Sequence, residues 1–373
     1  MAMVWIDGNE ALARGAVAAG CRFFAGYPIT PATSILNHML ALLPPAGGIC
    51  LQGEDEIASI GFCIGASMAG LRAMTATSGP GISLYSEQIS FAVGSEIPLV
   101  IVDVQRLGPS TGSATRGADG DIQFLQWGNS GGLPVVVYAP VDAADCFRLV
   151  QIAFRTADAL RTPVFIASNK EIALTRESLD EAALAVLPPG ERPAPPAGRP
   201  YLPFETPEGV RVPPFLPIGG GTLVRQTSST HGADGYITTD PAEITRMLRR
   251  MQAKIETAAE DLAIFEHRPA PGADTLLVTY GVTSRAAAAA CRTLARRGAP
   301  VAHLVLKTLW PVPAGVIRQA AEGLRRIVVV EMNLGQYVRE IERVLPGRSV
   351  AFVGQMDGRL IAPETILEAV LHG

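Results

Sequence analysis

The sequence predicts an α/β chain: a doubly wound, mostly parallel sheet followed by a second, smaller layer of the same kind. Three observations carry that reading. Short apolar runs alternate with longer helical patterns through the first half of the chain. Several of the runs are apolar throughout instead of alternating, as expected of strands buried on both faces. The same rhythm returns on a smaller scale after a proline-rich interruption. A chain of 373 residues exceeds one ordinary core, and a hydrophobic fraction of 48% supplies apolar material for two.

Strands are predicted at Arg22–Gly26, Ile49–Gln52, Arg72–Thr77, Leu99–Val104, Val135–Tyr138 and Val164–Ala167, with helices at Pro31–Leu43, Glu56–Ala69, Gly81–Val93 and Ala143–Ala159. The pattern then breaks. Of the 29 prolines, 11 fall between Pro188 and Pro217, and the segment reads as an extended, partly polyproline-like connector. Residues Thr222 to Tyr236, rich in Thr, Ser and Gly, read as a loop. A helix is expected after Asp240-Pro241, where Asp caps and Pro suits the first turn. The expected division is therefore a first domain over residues 1–187, a connector and loop over 188–240, and a second domain over 241–373. Strands of the second domain are predicted at Thr275–Tyr280, Val301–Leu306, Arg326–Glu331 and Val350–Val353. Its helices are predicted at Ser284–Arg297, Ala314–Glu322, Gln336–Val344 and Pro363–Leu371.

Bulk properties exclude several function classes. A net charge of −4 gives no basic footprint for nucleic acid. A charged fraction of 18% leaves more apolar surface than a solitary monomer usually shows, which points to subunit contacts. Cys21, Cys50, Cys63, Cys146 and Cys291 form no C-x-x-C pair and sit in apolar stretches, so buried, reduced thiols are expected, with neither a cluster nor a zinc site. No basic region followed by an apolar run opens the chain, and no uninterrupted apolar run of about 18 residues occurs. The expectation is a cytoplasmic protein without a membrane span.

Ligands of open α/β sheets bind in the loops at the carboxyl ends of strands. Four such loops carry chemistry here. In Gly26-Tyr27-Pro28-Ile29-Thr30-Pro31 two prolines fix the backbone, and Thr30 is either held at the sheet edge with a free hydroxyl or caps a helix that has Pro31 first. Gln52-Gly53-Glu54-Asp55-Glu56 crowds three carboxylates at a helix start. Glu54 and Asp55 suit the helix dipole, whereas Glu56 precedes a tightly packing run and, if drawn inside, needs a partner such as a ligand nitrogen. Thr77-Ser78-Gly79-Pro80-Gly81 lets backbone or ligand approach closely, although neither the dinucleotide nor the P-loop pattern is present. In Gln105-Arg106-Leu107-Gly108-Pro109-Ser110-Thr111-Gly112, Arg106 either forks onto a carboxylate or makes a surface ion pair.

Together and in this order, the four loops resemble those of the alpha subunits of 2-oxoacid:ferredoxin oxidoreductases, and Glu331-Met332-Asn333-Leu334-Gly335-Gln336 is similar to a characteristic segment of that family. The resemblance spans nearly the whole chain. It implies a thiamine-diphosphate-binding pyrimidine (PYR) domain followed by a transketolase-C-terminal-like domain. The glutamate matching Glu56 would bond N1′ of the thiamine aminopyrimidine, which favours the imino tautomer whose 4′ nitrogen accepts the proton from C2 of the thiazolium. Pro28 and Ile29 would lie against the cofactor. Thr30 would contact the 2-oxo acid group, Arg106 would pair with its carboxylate, and Ser110 and Thr111 would shape the pocket. His231, after Ser228-Ser229-Thr230, matches a threonine–histidine pair of the family whose role stays open beside that of a structural loop histidine.

The resemblance class also needs a Gly-Asp-Gly segment with an asparagine well downstream to hold Mg²⁺ and the diphosphate. Asp119-Gly120-Asp121 is the nearest approach, and Asn129 follows too soon, so no metal site is expected in this chain. The resemblance therefore implies a beta subunit carrying Mg²⁺ and a 4Fe–4S cluster, coenzyme A as co-substrate, ferredoxin as electron carrier and an (alpha-beta)2 assembly. The family's additional gamma domain, in some members fused ahead of these loops, is not expected here. The expected reaction is CoA-linked oxidative decarboxylation of a 2-oxoacid or its reverse, with 2-oxoglutarate as first substrate and pyruvate, branched-chain or aryl 2-oxoacids as alternatives. The segment Ala114–Asp121 departs from the 2-oxoglutarate pattern, and Arg116 is the candidate for a distal carboxylate. The rivals are a non-oxidative thiamine decarboxylase subunit and a non-catalytic scaffold.

Overall fold

A computed structural model of the chain describes residues 3–195 and 197–372. Its first half runs β1 (Met3–Asp7), α1 (Gly8–Ala18), β2 (Phe23–Gly26), α2 (Thr33–Leu42), β3 (Ile49–Gln52), α3 (Glu56–Met68), β4 (Ala73–Thr77), α4 (Pro80–Leu84), α5 (Ser86–Gly94) and β5 (Leu99–Gln105). It continues with α6 (Ile122–Trp127), β6 (Val136–Tyr138), α7 (Ala143–Leu160), β7 (Pro163–Asn169), α8 (Lys170–Leu174) and β8 (Arg176–Asp180). All seven residues of both β5 and β7 are buried, which is why both strands open on apolar runs, residues 99–102 and 163–167.

The larger sheet has the order β7-β5-β4-β2-β3, parallel throughout, with β6 outside β7. Side-chain alternation divides the core. Val100, Val102 and Val104 of β5 pack with Leu12 of α1, Ile35 and Met39 of α2, and Val150 of α7. Leu99 and Ile101 pack with Ile60 of α3, Ile89 of α5 and Ile122 of α6. The sheet is therefore wound on both faces. From β2 the chain steps outward to β3 and then returns across β2 to β4, so the exits of β2 and β4 flank the topological switch point.

The second half runs α9 (Pro241–Glu256), β9 (Phe265–Arg268), β10 (Thr275–Thr279), α10 (Thr283–Arg296), β11 (Ala302–Leu306), β12 (Thr308–Trp310), α11 (Ala314–Ala320), β13 (Arg326–Glu331), α12 (Val338–Val344), β14 (Ser349–Gly354) and α13 (Pro363–His372). Its sheet has the order β14-β13-β10-β11-β9, with β9 antiparallel. Strand β12 leaves this layer and pairs antiparallel with β6, extending the first sheet to seven strands. Lys307 fastens that crossing through Asp145 at 2.8 Å and Glu266 at 2.7 Å.

The structure differs from the sequence reading in particular places. The single helix expected over Gly81–Val93 is two, α4 and α5, broken at Tyr85, whose hydroxyl is held 2.7 Å from Thr75 Oγ1 inside the core. The helix expected from Gln336 begins at Val338, because Asn333 Oδ1 takes the N–H groups of Gly335 and Gln336. The strand β1 and helix α1 were not anticipated; β1 pairs with β8 in a separate antiparallel ribbon. The helix after Asp240 forms as expected, its cap accepting from Ala242 N and Glu243 N.

Among the described residues, no helix or strand lies between Leu184 and Pro241. That segment is tied down by Arg161, which is fully buried and donates to the carbonyls of Pro203 (3.0 Å), Pro213 (3.3 Å) and Pro214 (2.7 Å). Beside it, Glu96 pairs with Arg250 at 2.5 Å and Lys254 at 2.7 Å. Of the cysteines, Cys21, Cys63 and Cys146 are buried, while Cys50 and Cys291 are half-buried. Burial pushes the Cys21 thiol up to about 12 and the Cys50 thiol up to about 11, which disfavours thiolate chemistry at either. No described helix is long and apolar enough to cross a membrane.

Candidate active site at the switch point

The first wall of the site is the exit of β2. Helix α2 starts at Thr33 with Ala32 at its cap and no side-chain capping bond, so Thr30 is not the cap. Thr30 is exposed, Pro28 and Ile29 are half-buried, and the loop is pinned from below by Asn9, whose amide donates to Pro31 O at 2.8 Å and Ser34 Oγ at 2.7 Å. Asn9 lies on α1, and its positioning role escaped sequence reasoning because α1 itself carried no recognised signal.

Opposite stands the start of α3. Asp55 caps the helix by accepting from Ala58 N at 2.7 Å, and both Glu54 and Asp55 are exposed. Glu56, one residue on, is turned inward and is 7% exposed. Among the described residues its carboxylate has no hydrogen-bond or ion-pair partner. Its oxygens are not sealed in the core, so a donor from outside the chain can reach them.

Between these walls runs the exit of β4. A Cβ on Gly81 would stand 2.0 Å from Thr77 Oγ1 and 3.0 Å from both Cγ and Oε1 of Glu56; one on Gly79, whose φ is +45°, would stand 3.4 Å from Arg106 Cγ. The glycine ridge thus lies between Glu56, whose approach only a glycine at 81 allows, and Arg106, beside which Gly79 is favoured by its positive φ.

Arg106 leaves β5 and is 5% exposed. Its guanidinium donates to Thr30 O at 2.5 Å and Thr111 O at 2.9 Å, so it neither forks onto a carboxylate within the described residues nor lies on the surface in an ion pair. Ser110, at φ +52°, and Thr111 are exposed on a loop folded back by Leu107 N to Arg116 O and Ser113 N to Leu107 O, both at 2.8 Å. Arg116 is exposed; its stem lies against Gly358, where a Cβ would stand 2.7 Å from Arg116 Cβ.

The second half closes the floor. Glu331, fully buried, accepts from Tyr280 Oη, Asn333 Nδ2 and the N–H groups of Tyr337 and Val338, all at 2.8–2.9 Å. Asn333 also donates to Asp119 O at 2.8 Å, and Met332 O accepts from Asp119 N at 2.9 Å. Behind Arg106, Asp103, Asp119 and Asp121 gather. Burial raises Asp119 to about 7 and Asp121 to about 6, and burial with the charge of Asp121 raises Asp103 well above the carboxylate range. Sequence reasoning missed Asp103, which stands in an otherwise apolar strand.

The structure thus brings Thr30, Arg106 and Thr111 into direct contact and sets Glu56 across the ridge. His231 lies elsewhere. Its ring stacks on Phe204 at 3.8 Å between centroids and Nδ1 sits 2.7 Å from Ser229 O, beside a cavity of about 370 Å³ whose lining includes Arg246 and Arg250. Burial lowers its basicity.

Residues 14–250 match the family model described as pyruvate flavodoxin/ferredoxin oxidoreductase, thiamine-diphosphate-binding. The chain belongs to this family. Residues 273–366 match pyruvate:ferredoxin oxidoreductase core domain II. Among curated relatives of the family, 2-oxoglutarate synthase subunit KorA of Methanothermobacter marburgensis is 38% identical over 98% of both chains. Ketoisovalerate oxidoreductase subunit VorB of Methanothermobacter thermautotrophicus is 33% identical over 99% of this chain and 97% of its own. The solved 2-oxoglutarate:ferredoxin oxidoreductase from Magnetococcus marinus, with 2-oxoglutarate, coenzyme A and succinyl-CoA bound, superposes with a TM-score of 0.92 at 30% identity. That match covers 99% of this chain, which spans 64% of the other's length.

Proposed function

We propose that this chain is the alpha subunit of a 2-oxoacid:ferredoxin oxidoreductase acting on 2-oxoglutarate, and that it supplies the pyrimidine-side half of a site completed by a beta subunit. The observation that carries the reading is the placement of Glu56 and Arg106 on opposite sides of the Gly79-Pro80-Gly81 ridge. One is an inward-turned carboxylate that no described residue pairs and that a ligand's donor can reach, the other a guanidinium anchored only to neutral carbonyls among the described residues.

Thiamine diphosphate, when bound, supplies the carbon nucleophile and the electron sink for decarboxylation. Glu56 fits its aminopyrimidine N1′, and Pro28 and Ile29 offer half-buried apolar surface beside it. Arg106 receives the substrate's 2-carboxylate, Thr30 lies beside its 2-oxo group, and Ser110 and Thr111 edge the entrance. Arg116, exposed with its stem braced on Gly358, is free to meet a second carboxylate, which favours 2-oxoglutarate over monocarboxylic substrates.

In the overall reaction, a 2-oxoacid anion and coenzyme A give acyl-CoA, CO2, one proton and two electrons, which pass to ferredoxin. The partner would hold Mg²⁺, the diphosphate and a 4Fe–4S cluster in an (alpha-beta)2 assembly. The test is co-expression with the beta subunit followed by anaerobic, CoA-dependent dye reduction across a panel of 2-oxoacids. Activity with 2-oxoglutarate, absent from either chain alone and diminished in Arg116→Ala, supports the proposal. Activity confined to branched-chain acids moves the substrate assignment to the ketoisovalerate class. A complex that carries its cluster yet turns over no acid would overturn the reading.

A further inference from the structure

Asp103 is fully buried at the end of β5, paired in register with Thr77 of β4 and Ala167 of β7. Gly79 N–H turns toward it, yet no donor on the described residues closes a hydrogen bond of normal geometry to either carboxyl oxygen. Facing it within hydrogen-bond contact is the carboxyl of Asp121, whose Oδ2 is also buried and unpartnered. Asp121 is held in place by its own backbone, which donates to Gln105 Oε1 at 2.9 Å. Three enclosed carboxyl oxygens, both of Asp103 and Oδ2 of Asp121, meet with no donor among the described residues, and a proton between the two groups is the arrangement that satisfies both.

We infer that Asp103 and Asp121 share one proton beneath Arg106 and act as a positioning pair that sets the charge offered to the substrate's carboxylate. The inference rests on the reading that Arg106 receives that carboxylate. The ionisable groups facing the pair are Arg106 from the same strand exit, Asp119 from the loop before α6 and, behind Asp119, Glu331 of β13. From β4 and β7 come the neutral side chains of Thr77, in register with Asp103, and Asn169, which donates to Asp119. With one proton, the pair carries a single negative charge behind Arg106, out of salt-bridge contact, and the guanidinium stays available to the substrate. Loss of that proton adds a second negative charge behind the guanidinium and repels an incoming anion. The elevated basicity of both carboxyls accords with this sharing. Substrate affinity is then linked to proton retention by the pair, although neither carboxyl touches substrate.

The test is the pH dependence of kcat and KM in the assembled complex. In the wild type, KM for the 2-oxoacid climbs on the alkaline side by up to about tenfold per pH unit, because one proton is linked to binding. In Asp103→Asn the amide still donates to Asp121 but has no proton to lose in this range, so KM matches the wild type at the acidic end and stays flat thereafter, with kcat little changed. In Asp121→Asn the charge behind Arg106 is gone, and KM falls below the wild type at neutral pH. A purely structural role would lower kcat or stability without altering the shape of the KM profile.

An alkaline climb in Asp103→Asn equal to that of the wild type overturns the inference. Should that variant fail to assemble, the infrared carboxylic-acid band of the wild-type complex serves instead. A band that shifts in Asp121→Asn supports the shared proton, and the absence of any band responding to that change refutes it. Arg106→Ala separates the two readings: an unchanged KM there sinks the role given to Arg106, whatever the infrared band shows of the pair.

Discussion

The guanidinium of Arg106 reaches 2.5 Å from the carbonyl of Thr30, so a side chain at the end of β5 fastens the loop at the end of β2, 76 residues earlier. Both its acceptors, Thr30 O and Thr111 O, are neutral, and among the described residues it has no carboxylate in salt-bridge contact. Its positive charge is thus held rigidly at the switch point and remains available to an anion.

Replacing Arg106 by Ala is expected to raise KM for the 2-oxoacid roughly 10- to 150-fold, the equivalent of about 1.5–3 kcal/mol for a charge-assisted hydrogen bond. Arg106→Lys keeps the charge but not the fork that spans both loops, and it should recover only part of the loss. Steady-state kinetics on the assembled complex checks both, and full recovery by lysine would mean that charge alone matters.

Glu56→Gln should separate stability from activity. The carboxylate makes no hydrogen bond or ion pair among the described residues and its oxygens are not sealed in the core, so neutralising it should leave the melting temperature of the isolated chain little changed. Turnover of the complex should nevertheless fall by about 10²–10⁴-fold, the range associated with loss of acid–base assistance. Thermal melts of the chain beside turnover of the complex provide the check. A melt lowered by several degrees would mean that Glu56 has a structural partner instead.

Two glycines close in sequence should respond in opposite ways. A methyl group at Gly81 would meet Thr77 Oγ1 at 2.0 Å and Glu56 Cγ at 3.0 Å, so Gly81→Ala must displace Glu56, at an overpacking cost of about 1–3 kcal/mol. Gly65, inside α3, has nothing within 4 Å of such a methyl, and Gly65→Ala should be neutral or stabilising by up to about 1 kcal/mol. Calorimetric titration of the complex with thiamine diphosphate should show weakened binding in the first variant alone.

The contrast between what was and was not legible follows from the range of the interactions. Strands such as β5 and β7 announce themselves because burial on both faces favours apolar residues along most of their length. The loop carrying Thr30 and the helix start carrying Glu56 are set by local prolines, glycines and caps, so their order in the chain was readable. By contrast, β1 finds its partner in β8, more than 160 residues away, and its exposed Met3 and Trp5 carry no core pattern. The strand β12 forms only because β6 offers an edge to it, a contact between distant parts of the chain. Asp103 reads as an anomaly in an apolar strand until Asp121 is placed against it by the loop that Asn333 clamps. Side-chain pairing across long sequence separations is what a single sequence conceals.

Asn333 should matter to the whole chain for that reason. Its amide donates to Asp119 O and Tyr280 Oη at 2.8 Å and to Glu331 Oε2 at 2.9 Å, all buried. Asn333→Ala strips donors from the buried Glu331 carboxylate and from the loop leading to Asp121, and about 2–4 kcal/mol of destabilisation is expected. Asn333→Asp should be worse, because it sets a second carboxylate against Glu331. Denaturant melts rank the two, and an aspartate variant as stable as the wild type would show that the amide of Asn333 is not what holds this loop.

The cluster at Glu96 offers a pH test with a definite sign. Burial alone would raise this carboxyl, but Lys254 and Arg250 outweigh it and hold it down to about 2, against an ordinary value of 4.5. A folded-state value below the unfolded one stabilises the chain fully above about pH 4.5, and that stabilisation is lost as pH falls toward 2. The shift corresponds to about 3 kcal/mol over that window. Glu96→Gln removes the acid-linked slope and leaves Lys254 and Arg250 facing a neutral group, so at neutral pH it should cost about 3–5 kcal/mol. It should also loosen the connector, because the adjacent Arg161, which binds the proline carbonyls, loses the charge that faces it. Equilibrium melts between about pH 2 and 7, paired with limited proteolysis across residues 188–240, distinguish the outcomes. A variant that keeps the wild-type acid slope would place the titrating group elsewhere, whereas a flat profile with faster cleavage of the connector would assign both effects to Glu96.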